Sequence, residues 1–159
     1  MILSKLDEFC DATEVAATAG TALVGNVIDL GSAPTLKDIG LGQDLFCVIQ
    51  TDTEIITGGS AGTIQFKLAS DAQAAIATDG TATEHFATAA LVTDDSALND
   101  ARLNAGGTIA AFKLPLGNYE RYLGILVVTA TTTTTAGKIN AFLTNDMSKW
   151  VALPNPVGA

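Results

Sequence analysis

The stretch from Leu103 to Leu143 decides the fold class: L-N-A-G-G-T-I-A-A-F-K-L-P-L-G-N-Y-E-R-Y-L-G-I-L-V-V-T-A-T-T-T-T-T-A-G-K-I-N-A-F-L. Residues 109–114 read as a strand. Pro115-Leu116-Gly117-Asn118 reads as a turn, because Pro presets φ and Gly and Asn tolerate positive φ. Residues 121–129 are a second and very apolar strand. The threonine run and Ala136-Gly137 form a loop, and residues 138–143 are a third strand. Nothing in the stretch is suited to catalysis, so it reads as sheet built for packing.

Working outward, residues 63–70 alternate cleanly. Ile64, Phe66 and Leu68 face one way, and Thr63, Gln65 and Lys67 the other, as in a half-buried strand. Residues 45–51 and 26–30 are further strands, the latter closed by Gly31 and Pro34. Residues 15–19 and 86–93 carry weaker strand signals. Residues 58–62 are a glycine-rich tip, 71–77 a short helix or loop, and 94–104 a polar segment with room for one helical turn. Roughly eight short strands separated by turn signals predict an all-β antiparallel sandwich or barrel. The absence of alternating long helical patterns argues against a parallel α/β sheet.

Residues 1–14 differ. Ser4-Lys5-Leu6-Asp7 resembles a capping box, with Asp in place of Glu or Gln. Leu3, Leu6, Phe9 and Cys10 would share one face of a short helix, too short to be stable alone. The expectation is an N-terminal arm over 1–14, a sandwich over 15–153 and an extended tail over 154–159.

The chain has 159 residues, enough for one domain with a sizeable core. Charged residues are 16%, below the ~25% of ordinary domains, and the abundant Thr and Val favour sheet. Net charge is −9, and the eight Lys and Arg are scattered singly. A nucleic-acid binder needs a basic patch, so direct nucleic-acid binding is not expected. An acidic surface is compatible with solubility or with a basic protein partner. No apolar run approaches the ~20 residues of a membrane helix, and the acidic start is unlike a signal peptide.

Chemistry is sparse. His85 is the single histidine and reads as a loop residue; no G-x-S-x-G motif supports a catalytic triad. Cys10, Cys47 and His85 lack zinc-ligand spacing. Asp52/Glu54 and Asp94/Asp95 read as solvated turn carboxylates, without glycosidase or EF-hand context. Cys47 sits in the apolar run Leu45-Phe46-Cys47-Val48-Ile49, where a thiol acts as a small core hydrophobe. A Cys10–Cys47 disulfide is the competing reading. No catalytic residue, metal or cofactor is expected.

The chain resembles the jelly-roll cement, or decoration, proteins that coat capsids of some short-tailed bacteriophages. The resemblance is carried by residues 1–6 (M-I-L-S-K-L), 26–31 (N-V-I-D-L-G), 38–42 (D-I-G-L-G) and 63–68 (T-I-Q-F-K-L). It continues in 114–117 (L-P-L-G), 121–124 (R-Y-L-G) and 136–143 (A-G-K-I-N-A-F-L). Residues 71–104 match least. The resemblance implies a jelly roll, a place on the outer capsid surface of the virion, contact with the major capsid protein, and often dimers.

Two expectations follow. Leu3, Leu6 and Phe9 of the arm would bind the capsid. Residues 45–49 and 123–128 are apolar on both faces, so Leu123, Ile125 and Val127 would form a homodimer interface if no loop of the chain covers that strand. The alternative is a carbohydrate-binding or host-adhesion sandwich, although Trp150, Tyr119 and Tyr122 are too few and scattered for a lectin site.

Overall fold

The β-branched and alternating runs become strands in the computed structural model, which describes residues 4–32, 39, 44–58, 62–94 and 99–147. The strands are β1 Glu8–Glu14, β2 Gly20–Asp29, β3 Phe46–Thr57, β4 Gly62–Asp71, β5 Thr83–Ala87, β6 Leu91–Thr93, β7 Thr108–Lys113, β8 Tyr122–Ala130 and β9 Thr134–Thr144. Single 3₁₀ turns lie at Lys5–Asp7 and Ala101–Leu103; no α-helix occurs among the described residues.

One sheet has the order β1-β9-β3-β7 and the other β2-β8-β4-β5, with β6 also paired to β4. Every pairing is antiparallel. The first strand pairs with the ninth, the second with the eighth, the third with the seventh and the fourth with the fifth. That is one long hairpin, four strands out and four back, rolled across two sheets. It is the jelly-roll arrangement, which buries most of its strand edges by rolling.

Alternation decides what fills the space between the sheets. Ile64, Phe66 and Leu68 of β4 meet Leu123, Ile125 and Val127 of β8 and Cys47, Ile49, Ile139, Ala141 and Leu143 of β3 and β9 in one core cluster. Each Val, Leu, Ile or Phe among them, taken fully out of water, contributes roughly 1.5–3 kcal/mol.

The two long sides of the sandwich close differently. At one side Phe86 of β5 stacks on Phe112 of β7, ring centroids 3.7 Å apart, bridging the sheets. At the other, β1 lies hard against β2. Gly25 has φ +69°, and a Cβ there would come within 2.3 Å of the Phe9 carbonyl oxygen. The β2 register shifts between Val24 and Ile28 at this point, as expected where a strand bends to let another backbone approach.

The structure corrects two expectations. Over the described residues 4–14 no helical face carrying Leu6, Phe9 and Cys10 forms. After the 3₁₀ turn the chain enters β1, which pairs with β9, and Phe9 and Cys10 are core residues at 0% and 3% exposure. Phe9 is therefore not a free partner contact. Likewise Leu123, Ile125 and Val127 are at most 1% exposed inside the sandwich and offer no dimer surface.

The outer face of β8 is closed by the chain itself. Ile76, from the connection between β4 and β5, packs with Ala69, Leu126, Leu23 and Val27. Gly124 makes the notch for it, since a Cβ there would lie 2.6 Å from Ile76 Cδ1. Asp71 holds the connection in shape, accepting from the backbone amides of Gln73 at 3.1 Å and Ala77 at 2.9 Å. On the other sheet, the cross-strand neighbours Val48 and Phe142 are also shut off from solvent, at 1% and 3%.

Gly25→Ala combines an unfavourable φ with a backbone clash. It should lower stability by about 2 kcal/mol or more. Urea unfolding followed by circular dichroism checks this; an unchanged midpoint would show that the β1–β2 approach is not tight.

Candidate functional site

Strand directions sort the connections into two ends. Residues 15–19, 58, 94, 99–107 and 131–133 lie at one end. At the other lie residues 4–7, 30–32, 44–45, 72–82, 114–121 and 145–147. This second end, the loop end, carries the candidate site. Among the described residues the exposed large hydrophobics are Leu6 at 76%, Leu116 at 73% and Val92 at 40%. Leu6 and Leu116 are both at the loop end, Leu6 just before the edge strand β1 and Leu116 just after the edge strand β7 of the same sheet.

Both are held by local chemistry. Ser4 caps the turn that carries Leu6: its Oγ accepts from the Leu6 amide at 3.2 Å, and its carbonyl accepts from the Asp7 amide at 3.0 Å. The 114–121 connection is braced along its length. The Leu114 amide donates to the Leu45 carbonyl at 2.8 Å. The Tyr119 hydroxyl donates to the Pro115 carbonyl at 2.6 Å, fixing the turn that presents Leu116. Arg121 makes a two-pronged pair with Asp29, at 3.0 and 2.9 Å. Its carbonyl accepts from the Leu30 amide at 2.8 Å.

The brace passes through His85. It is a β5 residue, not the loop residue that the sequence suggested, and it sits at a register shift of β5 against β4. Its ring stacks on Tyr119 with centroids 4.0 Å apart. Its Nε2 is 2.7 Å from Ser70 Oγ. Ser70 Oγ also accepts from the Glu120 amide at 3.1 Å, and the Thr83 hydroxyl donates to the Glu120 carboxylate at 2.7 Å. Burial pushes the His85 pKa below its ordinary 6.5, against an opposing pull from Glu120. A Ser–His pair at this distance invites comparison with an activated nucleophile. Ser70, however, is 0% exposed, so its hydroxyl faces no substrate and acts here as a structural joint. Sequence reasoning missed this cluster, because it joins three segments far apart in the chain.

The other sequence-derived candidates fall elsewhere. Leu3, Trp150, Asp95 and the tail 154–159 lie outside the described residues. Asp52 and Glu54 are exposed on β3; Asp52 accepts from the Thr53 hydroxyl at 3.1 Å and Glu54 from the Asn99 amide nitrogen at 3.4 Å. Among the described residues no group of His, Cys, Asp and Glu could hold a metal ion, and no helix is long and apolar enough to cross a membrane.

Cys10 and Cys47 are both free and buried. Cys10 pairs with Ala141 on one side of β9 and Cys47 with Leu143 on the other. Two strand spacings, about 9.5 Å, exceed the ~7 Å Cα limit for a disulfide. Burial pushes the Cys10 thiol up to about 11 and the Cys47 thiol further up. Reaction needs the thiolate. A thiol reagent at mildly alkaline pH should therefore label neither cysteine in the native protein and both after denaturation. A disulfide-linked mass, or rapid native labelling, would contradict this geometry.

A family model, Bbp16, matches residues 9–143, from β1 to within β9. No curated protein matches the chain.

Proposed function

The chain belongs to the Bbp16 family, a phage-associated family, and from that premise we propose that it is a capsid decoration protein. In this reading it binds the outer surface of a phage capsid and stabilises contacts between major capsid proteins. Family membership carries the reading. A jelly roll whose loop end holds Leu6 and Leu116 in water on braced connections supports it. One exposed leucine is ordinary surface. Two of them, over 70% exposed at the same end of the fold, suit insertion into a joint between subunits of a shell.

The role asks little of one copy. Burying two leucines at an interface adds roughly 1.5–3 kcal/mol each, less the cost of association. Many copies on one shell act together, and the benefit is mechanical. The net charge of −9 fits a basic patch on a protein surface and disfavours the packaged genome as a partner. The N-terminal contribution narrows to Leu6 and the residues before it, since Phe9 and Cys10 belong to the core. The proposal needs no dimer, because the β8 face that suggested one is covered by Ile76 and its neighbours.

The test is copurification with capsids of the host phage, wild type against Leu6→Asp and Leu116→Asp. Each substitution is at an exposed position and should change folding stability by no more than ~0.5 kcal/mol. Each should weaken decoration by about tenfold or more, the equivalent of ~1.4 kcal/mol. A double variant that still saturates capsids would remove the loop end from the interface. Failure of the wild type to bind capsids, combined with specific glycan binding, would favour an adhesion module instead.

A further inference from the structure

One of the ties between the 114–121 connection and the sandwich runs through a titratable ring, His85. Ser70 Oγ has two partners, the Glu120 amide and His85 Nε2. The amide can only donate. The serine's own proton therefore needs His85 Nε2 as its acceptor, which requires a neutral ring with its hydrogen on Nδ1. Nδ1 faces outward towards Gly117, 3.8 Å from where a Cβ would stand. A protonated ring would turn Nε2 into a donor. Ser70 Oγ would then receive two donors, and its own proton would have lost its acceptor in a site that is 0% exposed. An unmade hydrogen bond of this kind is costly where water cannot replace it.

Charges around the ring are few. From the 114–121 connection come Tyr119, whose phenol is neutral and pushed up to about 12 by burial, and Glu120, whose carboxylate accepts from Thr83. From β4 comes Ser70; Lys67 of that strand is paired with Glu84, the neighbour of His85 on β5. Asp71 accepts from its own connection. Beside the ring along β5, Phe86 stacks on the apolar Phe112 of β7 and packs against the core. Glu120 alone pulls towards protonation, and desolvation outweighs it.

We propose that His85 is a proton-controlled latch on the loop end. Protonation leaves the Ser70 proton without an acceptor, and so weakens the joint that holds the Glu120 amide and the 114–121 connection that presents Leu116. This rests on the docking reading for its consequence, weaker attachment to a shell in acid. The latch itself is a property of the free protein. The sign follows from linkage: the ring is harder to protonate folded than unfolded. Its stabilisation is complete above 6.5 and is lost as pH falls through the lower folded value. Asp71, Asp79 and Asp100 are shifted below 3.8 and titrate outside that window.

His85 is the one histidine, so its ring gives a single nuclear magnetic resonance titration curve. The expected results are a midpoint below 6.5, the Nδ1–H tautomer at neutral pH, and a Glu120 amide whose protection against hydrogen exchange falls about tenfold when the ring is charged. His85→Gln, which cannot charge, should remove the pH dependence of that protection. If the variant does not fold, the wild-type titration decides alone. A midpoint at or above 6.5, an Nε2–H tautomer, or unchanged Glu120 protection across the titration would overturn the latch. Capsid binding measured at about pH 7.5 and about pH 5 separates the two ideas. Absence of binding at both sinks the docking reading and leaves the latch to the free-protein result. Equal binding at both, with the amide data as expected, shows that the latch does not control docking and overturns that part of the proposal.

Discussion

The structure depends on the β8–β9 hairpin being laid into the middle of both sheets. β8 lies between β2 and β4, and β9 between β1 and β3. Until these last two strands arrive, β1 and β2 have no partner strand, and only the pairs β3–β7, β4–β5 and β4–β6 stand. The first strand waits for a partner about 130 residues away, as the Cys10 Sγ to Ile139 carbonyl contact illustrates. Loop closure over such spans is entropically expensive before any contact rewards it, and topologies of this kind fold slowly. The reward is a core in which Leu123, Ile125 and Val127 face Ile49, Ile139 and their neighbours with no solvent between.

The same constraint explains what the sequence made legible. Strands in mid-sheet must alternate or be wholly apolar, so β4 and β8 were readable nearly to their ends. β9 is longer than its apolar run because Thr134 and Ala136 also pair, against Thr57 and Ile56 of β3. The β1 strand was hidden. It carries two register shifts, and Ala12 sits at φ +44°. Those irregularities break the period of two, so the successive core residues Phe9 and Cys10 do not read as one face of a strand. The first half of β2, from Gly20 to Gly25, was hidden by its two glycines; Gly25 serves a close approach to Phe9, while Gly20, at φ +145°, meets nothing within 4 Å. The run 86–93 is two strands, β5 and β6, each paired to a different stretch of β4.

The candidate site was less legible still. Leu6 is recognisable from its place near the N-terminus, yet Phe9 three residues later is core, and spacing alone does not separate them. Leu116 sat inside a turn that the sequence identified for its Pro and Gly, not for what it displays. The cluster of Ser70, His85, Tyr119 and Glu120 exists only because β4, β5 and the 114–121 connection meet at one end of the roll. Gly124 was the one local sign that the apolar β8 has a cover of its own: a glycine inside so apolar a strand marks a close approach.

In the proposed role, these features divide the labour along one axis. The rolled hairpin supplies rigidity, and the loop end supplies contact. The most direct measurement is a cryo-electron microscopy reconstruction of capsids saturated with this protein. The account predicts density for each copy with residues 4–7 and 114–121 turned towards the shell, over joints between capsid subunits, and the β8–β9 turn pointing away. Copies attached through the opposite end, at residues 15–19 and 131–133, or shells that remain bare, would contradict it.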